Sequence, residues 1–129
     1  MNQGENKAEV RLNGQLYRLR FDLYALEQIE EEYGGIKEAF AALRGGKGMI
    51  KTIRTLFRIL ANSQRNLDGM PEDVTGDEIN KHGTIEDMNR ISEAIKAAIT
   101  IGMKSEVAGG EADNKRENPL DKEYNEKNG

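Results

Sequence analysis

The sequence predicts a mainly helical α+β fold, in which an N-terminal β-hairpin packs on a bundle of four to five helices and a disordered C-terminal tail follows. Three observations predict this fold class. An Asn-Gly dipeptide at residues 13–14 separates two short runs rich in valine, leucine, tyrosine and phenylalanine. Apolar residues recur at helical spacing through most of residues 23–103. After residue 104 the composition shifts to glycine, asparagine and charged residues.

The predicted hairpin has one apolar face and one charged face. Because a two-residue Asn-Gly turn fixes the register, Val10 is expected opposite Tyr17, and Glu9 is expected opposite Arg18 on the other face. A two-stranded hairpin alone is marginal in water, so the helices that follow are expected to cover the apolar face. That face comprises Ala8, Val10, Leu12, Tyr17 and Leu19.

Local signals mark where the predicted helices begin and end. Asp22 can accept hydrogen bonds from the free amides of a first helical turn, and Gly34 supplies a left-handed stop. Thr84, with an aspartate three residues later, opens the last long helix. The helix predicted at residues 49–64 is the most apolar, so we expect it to lie centrally and to pair with the last helix. Shorter helices are predicted at residues 36–44 and between the Thr75–Glu78 capping box and Gly83.

Length and composition indicate one small domain with polar ends. The chain has 129 residues, of which 36% are hydrophobic, and its mean hydropathy is −0.76. We predict a flexible N-terminus at residues 1–7, a single hairpin-plus-helices domain at residues 8–104 and a disordered polar tail at residues 105–129. The tail has too few apolar anchors to offset its ordering entropy, about 1 to 2 kcal/mol per residue for the backbone alone.

Cysteine usage and charge constrain the compartment and the partners. The chain has no cysteine, no apolar run of membrane-spanning length and a polar N-terminal segment, so we expect a cytoplasmic protein without a membrane partner. A net charge of −4 argues against a general nucleic-acid binder. Lys51, Arg54 and Arg58 nevertheless form a basic stripe, which is either a solvated or internally paired face or a surface for nucleic acid or another partner.

No arrangement of residues in the sequence is typical of catalysis. The single histidine, His82, lies beside a helix-ending glycine and has no cysteine or second histidine with which to form a nucleophilic pair or a metal site. Glu30, Glu31 and Glu32 are consecutive on a helix and point in different directions. The Gly45–Gly48 segment lacks the spacing of a phosphate-binding loop. We therefore predict no enzyme activity, no catalytic residue, no metal ligand and no cofactor.

The order of the predicted elements, together with two sequence patterns, resembles a known family. Residues 10–22 read V-x-L-N-G-x-x-Y-x-L-R-F-D, and residues 23–34 read L-x-A-L-E-x-I-E-E-x-Y-G. With the helices that follow, these patterns resemble the tail assembly chaperones of long-tailed bacteriophages, above all the variety in gene transfer agents and Gram-positive prophages, sometimes labelled tail tube proteins. The resemblance covers residues 9–103. The positions that match most specifically are Leu19, Phe21, Leu26, Glu27, Ile29, Tyr33 and Gly34.

The resemblance implies a non-catalytic, cytoplasmic helper in the bacterial host cell. Proteins of this family coat the very long, helical tape measure protein, keep it soluble and help tail tube subunits to polymerise around it. The implied partners are therefore the tape measure protein and the tail tube protein. The sequence leaves open whether the chain also forms a homo-oligomer.

Four apolar residues at the margins of the two long helices are candidates for binding such a partner. A small domain needs most of its large side chains inside, so these residues either complete the core or offer a groove to another helix. The four candidates are Leu56, Ile59, Ile101 and Met103.

Two other functions are compatible with the sequence. The chain is alternatively a structural virion component, such as a tail or head-tail adaptor subunit, which would be present in finished particles, whereas a chaperone would be absent from them. A further alternative is a small nucleic-acid-binding regulator that uses the basic stripe, and such a regulator would show strongly salt-dependent DNA binding.

Overall fold

The computed structural model describes the backbone of residues 8–110 and the side chains of residues 8–104. The described residues form one antiparallel sheet of two strands and five helices, which confirms the mainly helical α+β class. The elements are β1 (Glu9–Leu12), β2 (Gln15–Arg18), α1 (Leu23–Tyr33), α2 (Ile36–Leu43), α3 (Met49–Asp68), α4 (Asp77–His82) and α5 (Ile85–Gly110).

The hairpin has the predicted turn and the predicted register. Asn13 and Gly14 both adopt positive φ, 51° and 79°, as a two-residue turn of this kind requires. Val10 pairs with Tyr17, which confirms the expected facing of the strands. On the outer face, the Arg18 Nε lies 3.2 Å from a carboxylate oxygen of the opposite residue, Glu9.

The helices cover the apolar face of the hairpin. Val10, Leu12 and Leu19 are buried, and burying an aliphatic side chain of this size contributes about 1.5–3 kcal/mol. The Tyr17 ring meets the Phe57 ring of α3 edge to face, with centroids 5.2 Å apart. Strand β2 contacts α3, and β1 contacts α4 and α5, so the hairpin lies across the helical layer.

Helix α3 is the centre of the core. It packs against α1, α2, β2 and α5, and its pairing with α5 confirms the sequence prediction. It ends at Gly69, whose φ of 72° is left-handed, so the helix is four residues longer than the predicted end at residue 64. The apolar residues that α3 buries are Ile53, Leu56, Phe57, Ile59, Leu60 and Ala61.

Helix α1 begins and ends where the sequence predicts. Gly34 ends the helix with a φ of 96°. The buried centre of α1 is Ala25 and Ile29, whereas Leu23 is 81% exposed. At about 100° per residue, position 23 lies on the side of the helix opposite position 25, so Leu23 points to solvent once Ala25 meets the core.

The carboxylate of Asp22 joins the hairpin, α1 and α3. One oxygen accepts hydrogen bonds from the Ala25 amide at 3.0 Å and from the Ser63 hydroxyl of α3 at 2.6 Å. The other oxygen accepts from the Arg20 Nε at 2.9 Å. Beside this group, the Arg20 amide donates to the Leu60 carbonyl at 3.1 Å, so backbone also ties the hairpin to α3. We refer to this set of bonds as the Asp22 junction.

The segment that follows α3 is fastened to it by a buried amide. Asn62 donates from Nδ2 to the Val74 carbonyl at 2.9 Å and accepts from the Val74 amide at 3.0 Å. The side chain therefore mimics a neighbouring strand and satisfies both backbone groups of a buried residue. Nearer the surface, Arg65 forms an ion pair with Asp73 at 2.9 Å.

The last two helices begin at the predicted Thr75–Glu78 and Thr84–Asp87 pairs, but only the second pair is a reciprocal cap, because Gly76 is the N-cap of α4 and the Thr75 hydroxyl accepts from the Asp77 amide. The Glu78 carboxylate accepts from the Thr75 and Gly76 amides ahead of α4. The Thr84 amide donates to the Asp87 carboxylate at 2.8 Å, and the Asp87 amide donates to the Thr84 hydroxyl at 3.2 Å.

Helix α5 continues to Gly110, so the backbone is helical for six residues past the predicted end of the domain at residue 104. The predicted flexible N-terminus at residues 1–7, and the part of the predicted tail at residues 111–129, lie outside the described residues.

Protonation of Asp22 should weaken the fold. Burial by itself raises the pKa of this carboxyl, but the hydrogen bonds from Ser63, Ala25 and Arg20 outweigh burial, so the pKa lies below its ordinary value of 3.8. A lowered pKa contributes stability that is present above the unfolded-state pKa and is lost as the pH falls through the folded-state pKa. Asp22→Asn should therefore be less stable than the natural chain at neutral pH, and the difference should shrink below about pH 4.

Urea unfolding of both proteins across that pH range measures the difference directly. Asp68→Asn, at an exposed carboxyl of α3, is the matched control, and its effect should stay within about 0.5 kcal/mol at every pH. A difference between Asp22→Asn and the natural chain that stays constant down to the acid limit would contradict the role given to the carboxylate.

Candidate functional site

A cavity of about 460 Å³ lies where the open end of the hairpin meets α5. Its apolar walls come from the strand ends and from the exposed side of α5, and its polar rim comes from arginines of the hairpin and a glutamine of α3. The residues that line it are Ala8, Glu9, Arg18, Leu19, Arg20, Phe21, Gln64, Ala98, Ile101 and Gly102.

A second cavity, of about 230 Å³, continues from the first along β2 and the last turns of α3. Arg18 and Gln64 line both cavities, so the two are neighbouring parts of one depression, which we call the trough. The residues that line the second cavity are Gln15, Leu16, Tyr17, Arg18, Ala61, Gln64, Arg65, Asp68 and Met70.

The local sequence explains why the trough forms here. The Arg20 amide donates to the Leu60 carbonyl, so the chain just after β2 is bonded to α3, while residues 15–18 and the last turns of α3 line the second cavity. On the other side, Gly102 lets α5 approach the backbone of Phe21. A Cβ on residue 102 would overlap the Phe21 carbonyl oxygen and lie 2.9 Å from the Phe21 Cβ.

The trough has apolar ends and a polar middle. Ile101 is 40% exposed at one end, and Met70 is 49% exposed at the other. Between them, Arg18 pairs with Glu9, and the Gln64 amide donates to the Asp68 carboxylate at 3.2 Å. Such a pattern can bind a chain whose apolar side chains are separated by polar ones.

Tyr17, which lines the second cavity of the trough, has a raised pKa. Burial raises the pKa of its hydroxyl, and the negative charge of Glu78 raises it further. The hydroxyl is therefore protonated at neutral pH and can donate a hydrogen bond, but it does not exchange protons as a general base would.

The described residues contain no group of three or more histidine, cysteine, aspartate or glutamate side chains that could hold a metal ion. His82 is exposed in the last turn of α4. The trough itself is lined by both apolar and charged side chains.

The structure corrects the predicted partner-binding set. Leu56 and Ile59 are fully buried in the core, because α3 has neighbours on several sides and its apolar face is wider than one partner helix requires. Met103 is partly buried against the core. Ile101 is the one candidate of the four that is both exposed and part of the trough.

The predicted basic stripe is not a continuous exposed surface. Lys51 is exposed, whereas Arg54 and Arg58 are half-buried. The Arg54 Nε is buried and has no hydrogen-bond partner among the described residues. Within the same part of the chain, none of the three forms an ion pair with the Glu30–Glu32 face.

Sequence reasoning missed Gln64 and Met70, which lie at the middle and one end of the trough. The signal was present, since Gly69 ends α3 with a left-handed backbone, as a helix-stop glycine does. With α3 extended to Asp68, Gln64 and Asp68 fall one turn apart on one face. The position of Met70 near β2 could not be predicted from the sequence, because it depends on how the hairpin packs on the helices.

Comparisons with models of protein families, with curated proteins and with solved structures find no match to this chain. Membership of the tail assembly chaperone family therefore stays a prediction. None of the helices in residues 8–110 has both the length and the apolar composition that a membrane span requires.

Gly102→Ala should destabilise the protein, although alanine is the better helix former. Helix propensity alone predicts a gain of about 1 kcal/mol. The close approach of Phe21 should turn this gain into a net loss of stability, because overpacking in a tight contact costs about 1–3 kcal/mol. Chemical unfolding of the variant and of the natural chain shows whether the substitution lowers or raises the free energy of unfolding.

Thr100→Ala, at an exposed position two residues earlier on α5, is the control. It should be neutral or slightly stabilising, because only propensity acts there. A gain in stability for Gly102→Ala would show that α5 and Phe21 are not in close contact.

Proposed function

We propose that this protein is a non-catalytic, cytoplasmic tail assembly chaperone of a long-tailed phage or prophage. In this role it binds the tape measure protein and assists polymerisation of the tail tube protein around it. Two facts support the proposal. The patterns in residues 10–34 resemble that family, and the domain carries an open trough with an exposed apolar residue at each end.

The trough is the observation that carries the proposal. A helix that lies in a groove is held by apolar anchors at regular spacing, while its polar residues face the rim and solvent. Ile101 and Met70 supply separated apolar contacts, and Arg18 and Gln64 supply polar contacts between them. A long helical protein with a repeated apolar pattern offers many segments that fit such a surface.

The charges of the trough favour reversible binding. Arg18 is largely exposed, with 64% of its side chain accessible, and its ion pair with Glu9 is a surface pair. Exposed ion pairs contribute about 0–1 kcal/mol, so the rim adds little to affinity. A chaperone has to leave its client when the tail tube polymerises, and modest affinity at each trough is compatible with that release.

Co-expression with a tape measure protein encoded near this chain tests the proposal. The tape measure protein should become soluble and co-elute with the natural chain on size-exclusion chromatography. Ile101→Asp and Met70→Asp should each weaken co-elution about tenfold or more, because a charge replaces an apolar anchor at one end of the trough. Ile85→Asp is the matched control, since Ile85 is 88% exposed and lies outside the trough.

Circular dichroism should show that all three variants stay folded. An insoluble tape measure protein beside a soluble, separate natural chain would contradict the proposal. Equal loss of co-elution in all three variants would contradict the trough as the binding surface. Recovery of the chain in purified virions would favour a structural subunit over a chaperone.

A further inference from the structure

The outer edge of β1 carries backbone groups that the hairpin does not use. The Leu19 amide donates to the Ala8 carbonyl at 2.9 Å, so residue 8 belongs to a hydrogen-bonded pair of the ladder. Pairs alternate along an antiparallel ladder, so Val10 and Leu12 also point their backbone groups at β2. The amides and carbonyls of Glu9 and Arg11 therefore point away from β2.

This edge has no hydrogen-bond partner in the part of the chain that the structure describes. Among the described residues, no hydrogen bond reaches the backbone amide or carbonyl of Glu9 or Arg11. Unpaired backbone groups are costly when they are buried, so native proteins leave them unpaired only where water reaches them. The Arg11 side chain is itself exposed. Helices α4 and α5 contact β1, and Val10 and Leu12 of this strand are buried. Strand β1 is thus an open edge that can accept another strand.

The charges along this edge are complementary to themselves. When two copies of β1 pair antiparallel about Val10, Glu9 of each copy lies opposite Arg11 of the other. Both residues present outward backbone groups, so each such pair exchanges two backbone hydrogen bonds. If the pairing were centred on residue 9, the two Glu9 side chains would lie opposite each other. If it were centred on residue 11, the two Arg11 side chains would lie opposite each other. Among the registers that pair the charged residues of β1 with each other, the one centred on Val10 combines the available hydrogen bonds with opposite charges.

We propose that two copies of this chain associate through their β1 edges, in the register centred on Val10. The two hairpins then form one continuous four-stranded sheet, related by a two-fold axis. This inference goes beyond the proposed function, because it uses the edge of β1 and does not require the trough to bind a partner.

The interface is small, so the dimer depends on concentration. Stable dimers bury about 1,200–2,000 Å² in total, which is more than two four-residue strands provide. We therefore expect a dissociation constant of about micromolar or higher. Sedimentation equilibrium of the full chain over a wide concentration range measures it.

Charge reversal tests the register. Glu9→Arg alone places arginine opposite arginine, and Arg11→Glu alone places glutamate opposite glutamate, so each variant should weaken self-association about tenfold. An equimolar mixture of the two should recover association. In the mixed dimer the arginine introduced at position 9 faces the glutamate introduced at position 11, and the unchanged Arg11 faces the unchanged Glu9. Lys47→Glu, at an exposed position between α2 and α3, is the control and should associate as the natural chain does.

Arg11→Pro tests the backbone pairing of the β1 edge separately from the charge pairing. It removes an outward amide that β2 does not use, so the variant should be a monomer. Unfolding midpoints should be measured to verify that each variant is folded. This check is needed because Glu9→Arg also breaks the ion pair with Arg18, whereas Arg11→Glu leaves that ion pair intact. A natural chain that stays monomeric at millimolar concentration would overturn the proposal. A dimer that both single charge reversals leave unchanged, or a mixture that fails to recover association, would also overturn it.

Discussion

The carboxylate of Asp22 is the point at which the three parts of this fold meet. Its oxygens accept hydrogen bonds from Ala25 at the start of α1, from Ser63 in α3 and from Arg20 at the end of the hairpin. Polar groups withdrawn from water destabilise a protein unless they are paired, so the carboxylate favours one arrangement of these parts. The backbone bond from Arg20 to Leu60 then fixes where along α3 the hairpin lies.

The surfaces on which the proposed activities depend follow from this docking. Because the chain after β2 is bonded to α3 at Arg20, β2 and the last turns of α3 lie side by side and line part of the trough. The inner face of the hairpin is buried on the helices, and the outward backbone groups of Glu9 and Arg11 have no partner among the described residues. Neither surface needs a reactive motif, which agrees with a protein that binds and releases other chains.

The sequence predicts the parts of the fold that are decided by neighbouring residues. The Asn-Gly turn sets the strand register, Asp22 caps α1, and the Thr84–Asp87 pair starts α5, each within a few residues. Contacts between distant residues were not predictable, such as the bond from Ser63 to Asp22. Periodicity identified the apolar faces of α3 and α5 but not their depth, so it could not separate buried Ile59 from exposed Ile101.

Amide hydrogen exchange at Arg20 tests most directly whether the hairpin and the helices form one unit. If the Asp22 junction holds them together, the Arg20 amide opens only with the whole domain and exchanges as slowly as the Ile95 amide in the core of α5. The contradictory result is an Arg20 amide that exchanges as fast as the exposed turn at Gly14 while Ile95 stays protected. That result would show that the hairpin undocks by itself, and that the junction does not hold the trough in shape.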